Sequence, residues 1–247
     1  MKKFLLTTTF SIFLIVAHAQ TDSVNSRSAK SVNWKNIDLT NRSNDHFMVQ
    51  YGFDAWSGNP DSIQPKGFSR FTNVYFMLDK PFKTNPRFSV GLGAGIGSSS
   101  IFFEGTNVDI KSTGTRLPFR NVDSTDHFKK YKLSTVFLEA PVELRFNTDP
   151  VNSNKSFKIA LGAKVGTLIN AHTKGKTLVN KAGQTINDYI AKESSKKFFN
   201  STKLAATARI GYGIFSFYGA YQLTAVLKDA AGPQMKPYSV GFSISGL

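Results

Sequence analysis

The sequence contains no cysteine, so disulfide frameworks and thiolate metal sites are excluded. Histidine is scarce as well. Because His46, His127 and His172 are not spaced like metal ligands, neither a metal nor a cofactor site is predicted. After the first 20 residues there is no second long apolar run, so no membrane-spanning helix is predicted. Acidic residues are few, with 16 aspartates and glutamates against 31 lysines and arginines, for a formal net charge of +15.

The beginning of the chain has the features of an export signal. Lys2 and Lys3 precede an apolar run, and Ala17-His18-Ala19 fits the small-x-small cleavage rule, which predicts a signal peptide over residues 1–19. The apolar run is shorter than the ~20 residues of a spanning helix. Residues 20–45 are polar and predicted to be a flexible periplasmic segment. A basic exported protein is expected to meet anionic lipid or polysaccharide, not nucleic acid.

Residues 131–146, YKLSTVFLEAPVELRF, alternate between an apolar set and a set that carries charge. The apolar set is Ser134, Val136, Leu138, Ala140, Val142, Leu144 and Phe146, and the other set is Leu133, Thr135, Phe137, Glu139, Pro141, Glu143 and Arg145. Successive side chains of a strand point to opposite faces, so the pattern predicts a strand, whereas Pro141 would break a helix. The segment exceeds the ~5–6 residues typical of soluble proteins and suffices for a strand that crosses a membrane, about 9–11 residues.

The same alternation recurs along the chain. The predicted strands cover about 46–55, 70–80, 87–97, 131–146, 157–173, 203–212, 215–227 and 237–247. An even number of strands, joined by alternately long and short connections, is typical of bacterial outer-membrane barrels. We therefore predict an all-β fold for residues 46–247: an eight-stranded antiparallel up-and-down transmembrane β-barrel with short periplasmic turns and long outer loops.

Alternation alone leaves open which face is inside, because a soluble lipocalin-like barrel would put the apolar set inward. Two features favour the membrane barrel. The non-apolar set is dominated by Gly, Ser, Thr and Asn, which suit a narrow lumen, instead of the dense charge of a water-facing surface. Aromatic residues also gather at strand ends predicted to lie near the periplasm, as a lipid-interface girdle requires. These residues are Phe47, Phe88, Phe146, Phe157, Tyr212 and Phe215.

Six charged residues fall on the predicted lumen face, and they form the candidate site. They are Glu139, Glu143, Arg145, Lys158, Lys164 and Arg209. The interior of an eight-stranded barrel is just wide enough to be filled by side chains, so these charges are expected to pair. In simple register across the turn at 147–156, Glu139 lies beside Lys164. A salt-bridge network that fixes register is the favoured interpretation, and a proton or ion relay is the alternative.

Three other features of the sequence bear on function. GLGAGIG, residues 91–97, keeps period two within a strand, so its glycines are interpreted as making room for bulky inward neighbours and not as a phosphate loop. Residues 174–200 are predicted to be a lysine-rich outer loop with a helical turn near 187–195. Its lysines suit a solvated surface or attraction to lipopolysaccharide. His172 lies near an outer mouth with serines nearby in sequence, which leaves a lipid-modifying hydrolase as an alternative function.

The stretch from Leu138 to Phe146, LEAPVELRF, resembles the L-E-x-P-x-x-L-K/R-F/Y signature of the outer-membrane β-barrel (PorT-like) family of Bacteroidota. GAKVG at 162–166, ARIGYG at 208–213 and the segment 238–247 are similar too, so the resemblance covers about 47–247. It implies the fold and the cell outer membrane, and it carries over no catalytic residues. One branch of the family serves a protein secretion system.

The sequence thus predicts an integral outer-membrane barrel with a structural or interaction role, no open pore and no catalytic residues. The predicted partners are outer-membrane lipid and lipopolysaccharide, the barrel-assembly machinery during insertion, and a protein bound through the outer loops. A lipid-modifying enzyme and a secretion accessory are the alternatives.

Overall fold

The computed structural model describes residues 46–60, 63, 65 and 68–246. The predicted signal peptide, 1–19, and the predicted periplasmic segment, 20–45, lie outside the described residues and remain predictions. No helix in the described part of the chain has the length and apolar character needed to cross a bilayer.

Strands account for most of the described residues. They are β1 (Phe47–Ser57), β2 (Arg70–Pro81), β3 (Phe88–Phe103), β4 (Thr106–Val108), β5 (Phe119–Asn121), β6 (His127–Asn147), β7 (Phe157–Val179), β8 (Thr185–Ser194), β9 (Thr202–Tyr212), β10 (Phe215–Gln222) and β11 (Lys236–Ser245). A short 3-10 helix, Ser153–Lys155, lies in the connection between β6 and β7.

Among the described strands, eight form a closed antiparallel ring in the order β1-β2-β3-β6-β7-β9-β10-β11. The ring closes between β1 and β11, whose pairing runs from Met48 opposite Ser245 to Ser57 opposite Lys236. Each ring strand pairs with its neighbour in the chain, which is the up-and-down arrangement. The predicted fold class and the eight predicted strands are therefore confirmed, and no ring strand leaves an open edge for uncontrolled pairing.

Alternation along each strand separates an apolar outer face from a polar inner face. On the outer face Leu92, Leu138 and Leu161 are 52%, 50% and 61% exposed. On the inner face polar side chains are buried and bonded to each other, as when the Asn73 amide donates to the Gln50 side-chain oxygen at 3.0 Å. The hydrophobic surface of this protein therefore faces outward.

One end of the barrel has short, locally bonded turns. The β9–β10 connection turns at Gly213, whose φ of +61° is a left-handed conformation that glycine adopts without strain. In the β6–β7 connection, the Asp149 carboxylate accepts hydrogen bonds from the backbone amides of Asn152 and Val151 at 3.0 and 2.9 Å. These bonds lower the pKa of Asp149, with the Asn152 amide contributing most.

The opposite end departs most from the sequence-based expectation. The helical turn predicted near 187–195 is wrong, because this segment is strand β8, which pairs with the end of β7. The hairpin between them closes where the Asn180 backbone amide bonds the Gln184 carbonyl at 2.9 Å and Gly183 has a φ of +80°. Nearly every residue of β8 is exposed, whichever face of the strand it occupies, so the sequence of β8 lacks the alternation that marks the ring strands.

Strands β6 and β7 continue beyond the ring, and β8 joins them to form a three-stranded extension at this end. Beside it, strand ends and loops form a hydrophobic cluster over the barrel mouth. The cluster contains Trp56, Ile63, Ile101, Phe103, Val108, Ile110, Leu117, Tyr131, Leu133, Phe137, Leu168, Ala171, Phe198, Phe199, Leu227, Ala231 and Met235. The Tyr131 hydroxyl fixes the β3–β6 connection by donating to the Val108 carbonyl at 2.9 Å.

Candidate functional site

All six residues of the predicted site are buried inside the ring. Their exposed fractions lie between 2% and 8% for Glu139, Glu143, Arg145, Lys158, Lys164 and Arg209. Strand parity accounts for this placement, because each of them lies on the inward-facing set of its own strand. The structure divides the interior charges into two groups, which we call the Glu143 group and the Glu139 group.

The Glu143 group lies toward the end with short turns. Arg209 holds the Glu143 carboxylate with two bonds, from Nη2 to Oε2 at 2.6 Å and from Nε to Oε1 at 3.1 Å. Arg145 adds a bond from Nε to Oε2 of Glu143 at 3.0 Å and lies 3.4 Å from Asp79 Oδ1. Two guanidinium groups thus face two carboxylates. Lys158 lies further toward the turns, opposite Asn147, near a cavity of about 10 Å³ that Arg145 and Arg209 also line.

The Glu139 group lies closer to the loop end. Lys164 Nζ is 3.0 Å from Glu139 Oε2 and Lys203 Nζ is 2.8 Å from Oε1, so one carboxylate serves two ammonium groups. The Tyr75 hydroxyl also donates to Glu139, and it accepts a bond from Lys164 Nζ at 3.2 Å. The Glu139–Lys164 contact is diagonal, because the register places Glu139 opposite Gly166 and Lys164 opposite Pro141. Glu139 and Lys164 thus lie in contact, as expected, although they are not directly opposite each other in the ladder.

Asp54 supplies the second negative charge at this level. Its buried carboxylate accepts a hydrogen bond from the Ser239 hydroxyl. Asp54, Lys164 and Lys203 border a cavity of about 30 Å³ beneath the hydrophobic cluster. Two carboxylates therefore balance two ammonium groups here, as two carboxylates balance two guanidinium groups in the Glu143 group. A cavity of this size holds only a few water molecules.

The glycine stripe of β3 lets side chains from β2 and β6 meet across it. Gly91 lies between Asp79 and Glu143 in the sheet, and Gly95 lies between Tyr75 and Glu139. A Cβ atom added at Gly91 would lie 2.6 Å from Arg145 Nε. The glycines thus make room for the interior charges, which agrees with the interpretation of GLGAGIG as a strand segment and not a phosphate loop.

Comparison with known proteins agrees with this architecture. A family model described as an outer membrane protein beta-barrel domain matches residues 24–226, which is most of the chain.

This chain belongs to that family.

The protein is accordingly an outer-membrane β-barrel located in the outer membrane. The narrower assignment to the PorT-like branch of Bacteroidota stays a prediction.

Solved structures with some similarity include those of Ail and OprG. Ail, the attachment invasion locus protein of Yersinia pestis, is 14% identical, with 81% of this chain and 95% of Ail covered and a TM-score of 0.34. OprG from Pseudomonas aeruginosa is 15% identical, with 84% of this chain and 99% of OprG covered and a TM-score of 0.26. Among curated proteins, none matches the sequence.

Within an outer-membrane barrel, the exposed apolar band is the lipid-facing surface. On β6 it runs from Val136 to Phe146, about 33 Å along the strand at ~3.3 Å per residue, or about 25 Å across the membrane for a tilt of ~40°. At the short-turn end, Phe88 stacks against Phe146 with ring centroids 5.1 Å apart. Tyr212 pairs with both Phe157 and Phe215, which continues the aromatic girdle that the sequence predicted.

Asp54, Tyr75, Asp79 and Lys203 belong to the interior groups although they were absent from the predicted site. A signal for them existed. Asp54, Tyr75 and Asp79 fall on the non-apolar set of their strands, and Lys203 has the same parity as Arg209. The stagger between strands could not be derived from the sequence, and it is this stagger that brings a β2 side chain into contact with a β6 side chain.

His172, on which the alternative hydrolase function rests, lies on the outer face of the barrel wall. His172 is opposite Ser134 on β6 and opposite Ser194 on β8. Its Nδ1 atom bonds the Asn170 side-chain oxygen at 2.9 Å. In the described part of the chain, no serine hydroxyl forms a hydrogen bond with the His172 ring. Nor do the described residues contain a group of three or more His, Cys, Asp or Glu residues that could hold a metal ion.

Proposed function

We propose that this protein is a closed, non-catalytic outer-membrane barrel that acts by binding partners at its outer surface. The observation that carries the proposal is the arrangement of the interior. Two groups of paired charges lie in the lumen, and a hydrophobic cluster of strand and loop residues lies above them, with a cavity of only about 30 Å³ between. The interior of an eight-stranded barrel is in general too narrow for a solute channel once side chains occupy it.

The Glu143 group supports a structural role over a proton relay. Arg145 and Arg209 provide its positive charge, and a guanidinium group keeps its proton at any physiological pH. Their bonds occupy both oxygens of the Glu143 carboxylate, which is the group that would have to take up a proton in a relay. The bidentate Arg209–Glu143 contact joins β9 to β6 and so fixes the positions of strands that are not neighbours in the ring.

The outer end supplies the surface for binding. The three-stranded extension presents exposed apolar side chains on β8, with Ile186, Tyr189 and Ile190 exposed by 50%, 43% and 56%. The partners we propose are phosphorylated outer-membrane lipids and a protein that binds the outer loops, with the barrel-assembly machinery acting during insertion. We propose neither nucleic acid nor a cofactor as a ligand of this protein.

Conductance measurements test the closed lumen. Purified protein, shown to be folded by its heat-modifiable gel mobility, would be added to planar lipid bilayers beside a porin as the positive control. We expect the porin to open channels and this protein to leave the conductance at the level of the bare bilayer. Stable single-channel openings by the folded protein would contradict the proposal.

A lipid-modifying enzyme is the second candidate, because the row Ser134–His172–Ser194 and the Asn170–His172 bond place nucleophile, base and orienting amide on neighbouring strands. Mass spectrometry of lipid A from cells with the wild-type gene, with His172→Ala and with a deletion separates the candidates. We expect the same lipid A in all three. A species that is lost in both mutants would instead assign the chemistry to this protein.

A secretion accessory is the remaining alternative. Cross-linking in intact cells, followed by purification of the barrel, identifies proteins held at its outer loops or periplasmic turns. Capture of secretion-system components in stoichiometric amounts would support that role.

A further inference from the structure

A row of lysines crosses three neighbouring strands on the outer face of the barrel wall. Lys132 on β6 is directly opposite Lys174 on β7, which is directly opposite Lys192 on β8. The next row outward repeats the pattern with Lys130 opposite Lys176. The ammonium groups of such a row share one face of the sheet, because directly paired residues point to the same side. We call Lys132, Lys174 and Lys192 the lysine row.

The ring of Phe102 on β3 and the guanidinium of Arg70 on β2 extend the positive surface across these two strands. Lys132 pairs with Phe102 on β3, and its ammonium lies 5.7 Å from the centre of that ring and 3.2 Å from Ser100 Oγ. The Arg70 guanidinium approaches the same ring to 5.1 Å. Phe102 thus brings two cations close together around one aromatic ring, whose π-electrons attract cations in general.

These cations lack a carboxylate partner within the described part of the chain, where no ion pair joins an aspartate or glutamate to Arg70 or to any member of the lysine row. Like charges directly opposite each other destabilise a sheet. An anion bound between the ammonium groups would remove this repulsion.

The height of the row on the barrel identifies the environment of that anion. On β6 the lipid-facing residues end near Val136, and Lys132 follows on the same face, about 13 Å further along the strand at ~3.3 Å per residue. With the strand tilt, this places its Cα about 10 Å beyond the apolar band, at the level of the outer-leaflet head groups. Below the row, Leu138 and Ile169 are 50% and 47% exposed and offer apolar surface for acyl chains.

We propose that the lysine row, together with Arg70, binds the phosphorylated head group of an outer-leaflet glycolipid. A phosphate group carries the charge and the multiple acceptor oxygens that several converging ammonium and guanidinium donors require. The apolar surface below the row favours a ligand that also has acyl chains over a soluble phosphate. The inference rests on the proposed role as a binding barrel, but it does not depend on whether the lumen conducts.

The test is a binding measurement with purified, folded protein in detergent, using lipid A and dephosphorylated lipid A as probes. The first variant is Lys132→Gln/Lys174→Gln/Lys192→Gln. Its matched control, Lys111→Gln/Lys155→Gln/Lys181→Gln, removes the same charge from exposed residues in loops and turns. Native mass spectrometry reports how much lipid remains bound, and heat-modifiable mobility verifies that each variant is folded.

We expect lipid A to bind the wild type and the control within twofold of each other, and the row variant at least tenfold more weakly. Dephosphorylated lipid A should bind the wild type as weakly as lipid A binds the row variant. Equal binding by row variant and wild type, equal loss in the control variant, or full binding of the dephosphorylated lipid would each overturn the proposal. Displacement of lipid A by an equal concentration of inorganic pyrophosphate would identify a soluble phosphate site instead.

A second readout remains useful if the triple variant folds poorly. Lipid A should raise the melting temperature of the wild type, because a ligand that binds only the folded state stabilises it. In lipid-free detergent, the single variant Lys174→Gln should melt at a temperature equal to or above that of the wild type, and lipid A should shift it less. If lipid A raised the melting temperature of Lys174→Gln as much as that of the wild type, Lys174 would not contribute to lipid binding, which would contradict the proposal.

Discussion

Charged residues on the two sides of this barrel wall follow opposite rules. Inside, positive groups lie against carboxylates, as Arg209 lies 2.6 Å from Glu143 and Lys203 lies 2.8 Å from Glu139. Outside, beyond the apolar band, lysines lie against lysines, as Lys174 does between Lys132 and Lys192. The inner charges are buried and the outer charges are only partly so.

The difference shows where each set of charges finds its counter-ions. A charge in a closed, narrow lumen has little water around it, so the protein itself must supply the opposite charge. A charge at the head-group level can be neutralised by the membrane, so the protein can leave it without a carboxylate. Four predictions test this comparison, in order of decreasing expected effect on stability.

Removing the central carboxylate of the Glu143 group should have the largest effect. Glu143→Gln keeps the shape of the side chain but leaves Arg145 and Arg209 without the charge they share. We expect a loss of about 3–5 kcal/mol in the free energy of unfolding, as for other buried ion pairs that lose one partner. Urea titration of the detergent-folded protein measures it.

The matched control is Glu193→Gln, at an exposed carboxylate on β8, which should change the free energy of unfolding by less than about 0.5 kcal/mol. Equal effects of the two variants would mean that the Glu143 group is solvated.

Removing one lysine of the Glu139 group should cost less, because the other remains. Lys164→Met should lower the free energy of unfolding by about 1.5–3 kcal/mol, the typical worth of a hydrogen bond to a charged group. Lys203 still neutralises Glu139 in this variant. Adding Glu139→Gln should then give little recovery, and recovery should appear only when Lys203→Met is combined with both. Full recovery in the Glu139/Lys164 double variant would show that Lys203 does not share the carboxylate.

Filling the space over the glycine stripe should disturb the same group by crowding. A Cβ atom at Gly97 would lie 2.6 Å from the Glu139 carboxylate, so we expect Gly97→Ala to cost about 1–3 kcal/mol. Gly219 on β10 is the control, because an added Cβ there meets no atom within 4 Å. Thermal unfolding followed by gel mobility compares the two variants. If Gly219→Ala is as destabilising as Gly97→Ala, backbone effects and not crowding explain the loss.

Neutralising the middle of the lysine row should have the smallest effect, and of opposite sign. Without lipid A, Lys174→Gln removes repulsion from two paired neighbours, so stability should rise by about 0.2–1 kcal/mol. Lys181→Gln, in the β7–β8 turn, serves as the control and should leave stability unchanged. A clear loss of stability in Lys174→Gln under lipid-free conditions would mean that the protein itself compensates this charge.

Much of the ring could be predicted from the sequence because burial imposes period two on it. Glu139, Glu143 and Arg145 fall on one face as soon as β6 is identified as a strand, and the small residues of that face indicate a narrow interior. The glycines of β3 could likewise be interpreted correctly, since strict alternation with apolar residues is incompatible with a loop. These features depend only on local geometry.

Features that depend on stagger or on exposure could not be predicted in the same way. The contact of Asp79 on β2 with Arg145 on β6 crosses the intervening strand β3 at Gly91. The bulge in β7 near Ile169 shifts the pairing of β6 with β7 between the bulge and the loop end of the barrel. Neither leaves a mark on a single strand. Strand β8 shows no alternation in the sequence because both of its faces are exposed. The lysine row depends on how three strands pair, which no single strand reveals.

The most direct test of a closed, self-neutralised interior is the salt dependence of the coupling between Glu143 and Arg209. A double-mutant cycle with Glu143→Gln and Arg209→Met, measured by urea unfolding in lipid-free detergent, gives the coupling energy at low and at ~1 M salt. Salt screens exposed charges strongly and buried pairs much less. The account predicts a coupling energy that stays the same at both salt concentrations. A coupling energy that falls toward zero at high salt would contradict it, because the pair would then lie in water.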